Sequence, residues 1–260
     1  MDIGTNIDGL AARGRYHFTT KEAATALGAS HVAARAAIRR LREKGRVSMP
    51  FRGFHVIVPP EFRALGCLPA DQFVPQLMQH LGLAYYAGLL SAASLHGAAH
   101  QAPMVFQTIA AYNRPEIRCG RVRIEFVARR NVATAATVHM NTLRGVLRVS
   151  TPEATAFDLV GYPGHAGGLS SVATILSELA EKIDASKLLT ETERSLLPWT
   201  QRLGYLLERV EAANLAAPLF EHVSVHAKEY APLRSRKPAM RASRDSRWRL
   251  FVNEEMEPDL

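Results

Sequence analysis

The chain has 260 residues, 47% of them hydrophobic, a formal net charge of +8 and two cysteines. That length and apolar content suffice for buried cores in one large domain, or in a small domain beside a larger one, and exclude a disordered or fibrous chain. No run of eighteen or more uncharged apolar residues occurs, and the opening MDIGTNIDGL lacks the basic start and apolar centre of a signal peptide. A cytoplasmic protein without a membrane partner is expected. Cys67 and Cys119 match no metal or redox spacing and read as reduced core thiols.

The charge is unevenly placed. Residues 1–60 carry an excess of +6 and residues 61–150 of +5, whereas residues 151–260 carry −3. An excess concentrated in a small helical unit suits a polyanionic partner. Pro59-Pro60 can continue neither a helix nor a central strand. The expected division is therefore a module over 1–60 and a larger domain over 61–260.

Within the first module, Thr19 and Glu22 have the spacing of a capping box for a short helix over KEAATAL, which Gly28 ends. Ser30 caps the next helix. There Ala34, Ala37, Ile38 and Leu41 follow the spacing of a buried stripe, while His31, Arg35, Arg39 and Arg42 fall on the opposite side. Gly45 stops this helix, and RVSMPFRGFHVIV reads as strand, tight turn at Arg52-Gly53, strand. The order is that of a helix-turn-helix followed by a β-wing.

Such a helix fits the DNA major groove, with its N-terminal half presented to base edges. Arg35 and Arg39 are the candidates for base contact, and His31 for a base or a phosphate. Ser30 at the cap belongs to the same surface. Arg40, Arg42 and Lys44 fall where backbone contacts are made. Thr20 and Lys21 open the preceding helix, whose first amides can receive a phosphate. Arg52 would reach the adjacent minor groove or its phosphates. A merely solvated basic face is the alternative, and the consecutive order of capped helix, turn, basic helix and wing argues against it.

Residues 71–100 are apolar with helical spacing, and β character follows in MVFQTIAAY and GRVRIEFVA. In the latter, Arg121, Arg123 and Glu125 share one face and Val122, Ile124 and Phe126 the other. With Arg118, Arg129 and Arg130 nearby, this strand reads as the polar side of a half-buried sheet, or alternatively as a second nucleic-acid patch. Thr151, Pro152 and Glu153 mark a helix start. Residues 169–189 and 192–213 have helical spacing. HVSVHAKE alternates as a strand, residues 232–246 read as an extended arm, and RWRLFVN reads as one closing strand. The fold class expected is α+β, an N-terminal winged helix-turn-helix followed by a larger mixed α/β domain.

Beyond the winged module, the segments AYYAGLLSAASLHGAAHQAPMVFQTI, RVRIEFVARR, STPEATAFDLVGYPGHAGGLSSVATILSELAEKID and RDSRWRLFVNEEMEPDL resemble the AbiEi family, the antitoxins of type IV toxin-antitoxin systems linked to abortive phage infection. The resemblance spans nearly the whole chain and is most specific at residues 91–101, 150–158 and 247–260. It implies an autorepressor that binds double-stranded DNA at promoter inverted repeats, and a larger antitoxin domain. It also implies a nucleotidyltransferase-like toxin that is counteracted without a stable complex. An inverted repeat requires two copies of the chain, so self-association on DNA is expected.

Enzymatic readings find little support. GHAGGLSS resembles the Gly-Ser start of a nucleotidyltransferase site, but the paired acidic residues that would hold metal do not follow, and Asp184 stands alone in a helical segment. No P-loop or dinucleotide fingerprint occurs. His96 with His100, and His222 with His226 and Glu229, have metal-like spacing but lack a convincing third ligand or a helical frame. Asp158 reads as a structural hydrogen-bond partner. No catalytic residue, metal or cofactor is expected. A nucleic-acid-acting enzyme or a protein-interaction module built on the larger domain remains the alternative.

Overall fold

Asp2 accepts a hydrogen bond from the Gly4 amide and starts helix α1, Ile3–Ala12. Strand β1, His17–Thr19, leads into α2, Thr20–Leu27, through the capping box: Thr19 Oγ1 accepts from the Glu22 amide, and the Thr19 amide donates to Glu22 Oε2. Gly28 at φ 58° closes α2 in the left-handed conformation that glycine adopts without strain. Ser30 caps α3, His31–Glu43, and the wing follows as β2, Val47–Phe51, and β3, Phe54–Ile57, joined by Arg52 and Gly53. Strand β3 is central, antiparallel to both β1 and β2.

The computed structural model describes residues 2–98, 103–235 and 237–256. They form two compact units, one of Met1–Ala87, Met104–Ala133 and His139–Val149, the other of Gly88–Pro103, Thr134–Val138 and Ser150–Leu260. In the first unit two apolar clusters meet at β3. One gathers Ile3, Ile7, Phe18, Ala37, Ile38, Leu41 and Ile57 beneath the helices. The other joins Phe54 and Val56 to Leu68, Phe73, Leu77, Met78, Ile124 and Phe126. Successive strand residues point to opposite faces, so β3 is buried on both sides. Cys67 and Cys119 are free thiols in the second cluster, hydrogen-bonded to each other, and Cys67 Sγ also accepts from Ser48 Oγ at 3.2 Å.

The remaining elements of that unit begin with α4, Val74–Leu81, and β4, Tyr85–Ala87. The chain then forms α5, Leu89–Leu95, in the second unit. The apolar run over 71–100 is thus two helices interrupted by a strand, because Gly82 turns the chain at φ 65° and Tyr85 and Tyr86 pair with a neighbour. The sheet is completed by β5, Phe106–Ala110, β6, Ile117–Cys119, β7, Val122–Ala128, β8, Thr137–Thr142, and β9, Gly145–Ser150. Its order is β6-β7-β5-β4-β9-β8, with β5 parallel to β7 and β4 parallel to β9.

In the second unit Thr151 caps α6, Pro152–Gly161, which is buried almost throughout. There follow α7, Leu169–Leu179, α8, Ala185–Thr192, α9, Leu197–Arg209, and α10, Ala213–His226. Asp184 is not inside a helix as its surroundings suggest; it caps α8, accepting from the Ser186 and Lys187 amides. The strand expected at HVSVHAKE is the end of α10. Leu215, Ala216, Leu219 and Val223 supply a buried helical stripe that overrides the local alternation, even with Pro218 inside the helix.

Residues 232–246 are not simply an arm. Strands β10, Ala231–Pro232, β11, Ser243–Asp245, and β12, Leu250–Val252, make a small sheet in which β12 is central, rather than one closing strand. Helix α9 holds this segment. Gln201 Nε2 donates to the carbonyls of Trp248 and Arg249, Arg202 Nε to that of Pro232, and Glu208 accepts from Trp248 Nε1 and Arg247 Nε. The indole of the fully buried Trp248 lies against Gly204, where a Cβ would come within 2.0 Å of the ring. No helix among the described residues is long and apolar enough to cross a membrane.

Candidate nucleic-acid interface

Helix α3 divides as its spacing predicts. Ala34, Ala37, Ile38 and Leu41 are buried against α1, α2 and the wing, and His31, Arg35, Arg39, Arg40, Arg42 and Lys44 are exposed. Arg39 stays 74% exposed while standing 3.7 Å from Glu43, an i,i+4 pair too solvated to hold the guanidinium in place. Ser30 is occupied as the cap, accepting from the Ala33 amide at 3.2 Å, so its contribution is to fix where the helix starts. Arg52 is exposed at the wing tip, and Gly53 at φ 80° permits the two-residue turn.

Thr20 and Lys21 differ from each other. Lys21 is exposed, but the Thr20 amide donates to the Gly53 carbonyl at 3.0 Å, and its hydroxyl lies 2.9 Å from His55 Nε2. These contacts tie the start of α2 to the wing and take the Thr20 amide away from any phosphate. His55 is buried and stacks on Phe18; burial, with the nearby Arg42 charge, holds its imidazole down to about 4, so it is neutral at pH 7. Nothing in the sequence pattern around His55 marked this bridge.

The central arginines do not act as one patch. Arg129 is buried and donates to the Tyr86 hydroxyl at 2.9 Å, an internal role. Arg123 grips Glu116 with two hydrogen bonds of 2.7 and 3.0 Å, and Arg118 adds a third at 2.8 Å; together Arg123 and Arg118 hold the exposed Glu116 carboxyl down to about 2. Arg118 also lines a groove of about 490 Å³ with Arg39, Arg42 and Ser48, so β6 brings one sheet arginine alongside the end of α3. The sequence separates these arginines by more than seventy residues, and only the packing of β6 beside the wing joins them.

The histidine pairs have ordinary partners. His96 Nε2 lies 2.7 Å from the Ser150 carbonyl, and His100 is outside the described residues. His222 and His226 stack at 4.2 Å on α10, where His226 Nδ1 donates to the His222 carbonyl. Asp158 is fully buried. Among the described residues no three His, Cys, Asp or Glu side chains are grouped to hold a metal.

A winged helix with an exposed basic third helix, continued by a six-stranded sheet and a helical unit, defines a winged-helix regulator with a large appended domain. Sequence comparison carries this further. The family model described as the AbiEi antitoxin C-terminal domain matches residues 86–209, and that described as a transcriptional regulator, AbiEi antitoxin, matches residues 7–58. The chain belongs to the AbiEi antitoxin family, a family of antitoxins and transcriptional regulators. Its fold is similar to the crystal structure of the RV2827C protein from Mycobacterium tuberculosis, with a TM-score of 0.65 at 17% identity, over 94% of this chain and 88% of that one. No curated protein matches the sequence significantly.

Proposed function

We propose that this protein is a cytoplasmic autorepressor and antitoxin of a type IV toxin-antitoxin system, with no catalytic activity of its own. The module over 1–60 binds double-stranded DNA at inverted repeats in its own promoter. The part over 61–260 counteracts a cognate nucleotidyltransferase-like toxin without forming a stable complex with it. The observation that carries the DNA-binding half is α3, whose apolar stripe is consumed by packing while His31, Arg35 and Arg39 stay exposed along the opposite side. Arg35 and Arg39 read bases in the major groove, His31 a base or a phosphate, and Arg40, Arg42 and Lys21 hold the backbone. Arg52 on the wing enters the neighbouring minor groove, and Ser30 and Thr20 set the helix starts. Two copies of the chain occupy each palindromic operator.

The test is a salt-titrated gel shift on the inverted repeat upstream of the protein's own gene. Arg35→Ala and Arg39→Ala each weaken binding by about 1–3 kcal/mol and relax the preference for the cognate sequence. Arg42→Ala weakens binding to all sequences alike and lowers the salt slope by about one. Affinity unchanged in both Arg35 and Arg39 variants overturns the reading. For the second half, co-expression with the toxin restores growth although the two proteins do not co-purify; a stoichiometric complex would instead make the larger part a direct protein-binding module.

A further inference from the structure

Away from α3, the loop between α1 and β1 closes over a cavity of about 170 Å³ in the first unit, lined by Arg13, Arg15, Tyr16, His17, Gln76 and Arg144. Three arginines and no acidic residue are among its lining residues. The central one is Arg144, in the turn between β8 and β9. Its side chain is only 10% exposed, and its guanidinium carbon lies 3.9 Å over the Tyr16 ring. Arg144 Nη1 donates to Gln72 Oε1 at 2.6 Å, and its Nη2 lies 3.5 Å from a Glu61 carboxylate that is itself 58% exposed. Arg144 Nε is buried with no hydrogen-bond partner.

The surrounding charges leave that cation weakly matched. Arg15 is paired with Glu22 outside the cavity lining, and Arg13 is exposed beside it. Burial pushes the Asp71 carboxyl up, against the amides of Asp71 and Gln72 and the weaker pull of Arg144. Burial, and after it Arg15, lower the His17 imidazole, against the weaker pull of Glu22. Arg144 thus has one solvated carboxylate at the limit of hydrogen-bond reach and an Nε with no partner, and a bound anion would supply the contact it lacks.

A second orphan narrows the ligand. Gln76 Nε2 donates to the Arg144 carbonyl at 3.3 Å, which leaves Gln76 Oε1 as a buried acceptor with no partner. An anion that also donates a proton would match both Arg144 Nε and Gln76 Oε1. Hydrogen phosphate does so through its P–OH group; sulfate, fully ionised at neutral pH, does not. The volume takes one tetrahedral oxyanion and falls short of the usual range for larger organic ligands. We propose that this cavity binds hydrogen phosphate, which keeps its P–OH group at neutral pH where a phosphate monoester is largely fully ionised, with Arg144 and Gln76 as its recognition pair.

The test uses the full chain and three probes at matched ionic strength: inorganic phosphate, adenosine 5′-monophosphate and sulfate. Calorimetry gives affinity, and the His17 imidazole resonance reports the site, because a bound anion raises the lowered His17 pKa. Saturable binding of phosphate, tighter than that of the mononucleotide or of sulfate and accompanied by that upward shift, supports the proposal. Gln76→Met, close in bulk, brings phosphate affinity down about tenfold to the level of sulfate. Arg144→Gln abolishes binding of every probe; should it unfold, the Gln76→Met comparison still decides. No saturable binding of phosphate, or sulfate or the mononucleotide bound as well as phosphate by the unaltered chain, overturns it.

Discussion

Helices α3 and α9 each span 13 residues and each carry two or more arginines, yet they use polarity in opposite directions. On α3 the charged residues face outward and the buried positions are Ala, Ile and Leu. On α9 Gln201 and Arg202 are buried, 2% and 5% exposed, and are spent on the carbonyls of the chain's own C-terminal segment. A buried donor left unmatched is costly, so α9 is committed to its internal partners. An exposed arginine with at most a solvated i,i+4 neighbour keeps its hydrogen-bonding capacity for something outside the chain. The contrast separates residues spent on the chain's own architecture from residues left exposed better than charge alone does.

The comparison breaks most sharply at Gly204. A Cβ there would overlap the Trp248 indole, so Gly204→Ala should cost roughly 3 kcal/mol or more, read as a shifted urea midpoint. A loss below about 1 kcal/mol would mean that the C-terminal segment detaches readily and α9 is not its anchor. A smaller effect belongs to His55, which is kept neutral between α2 and the wing. Its pKa falls from 6.5 in the unfolded chain to about 4 in the folded one, so its contribution is complete above pH 6.5 and is lost as pH falls towards 4. Thermal melts across that window should show a decline of roughly 2 kcal/mol, flattened in His55→Gln. A decline unchanged in that variant would remove His55 as its cause.

The smallest of these effects is at the start of α3. Ser30→Ala removes the oxygen that receives the Ala33 amide and should cost about 1 kcal/mol by chemical denaturation. It should leave the salt slope of DNA binding untouched, because the cap shapes the helix without touching the duplex. A changed slope would instead place Ser30 among the phosphate contacts.

The winged module was largely legible because its signals are local. The Thr19/Glu22 capping box, Gly28, the Ser30 cap and the Arg52-Gly53 turn each act within four residues. The stripe of α3 repeats on a helical period that nothing distant overrides. Beyond residue 60 the local signal competed with packing. The end of α10 alternates like a strand but follows the helix whose Leu215, Leu219 and Val223 are already buried. Strand β4 hid in an apolar run because its evidence is its pairing with β5 and β9. At the candidate interface the exposed arginines were foreseen, whereas the bond between Thr20 and His55 and the approach of Arg118 to Arg39 and Arg42 join residues far apart in sequence. Such pairs carry no period to read.

Strand β3 has a consequence for anyone who would isolate the winged module. A fragment cut at Pro60 keeps Ile57 and the helices but strips Phe54 and Val56 of the side chains that cover them. Two bare aromatic and branched residues on a wing strand are an invitation to stick to a second fragment. A soluble winged fragment should therefore retain the covering segment around Leu68, Phe73 and Leu77 or replace Phe54 and Val56 with polar groups.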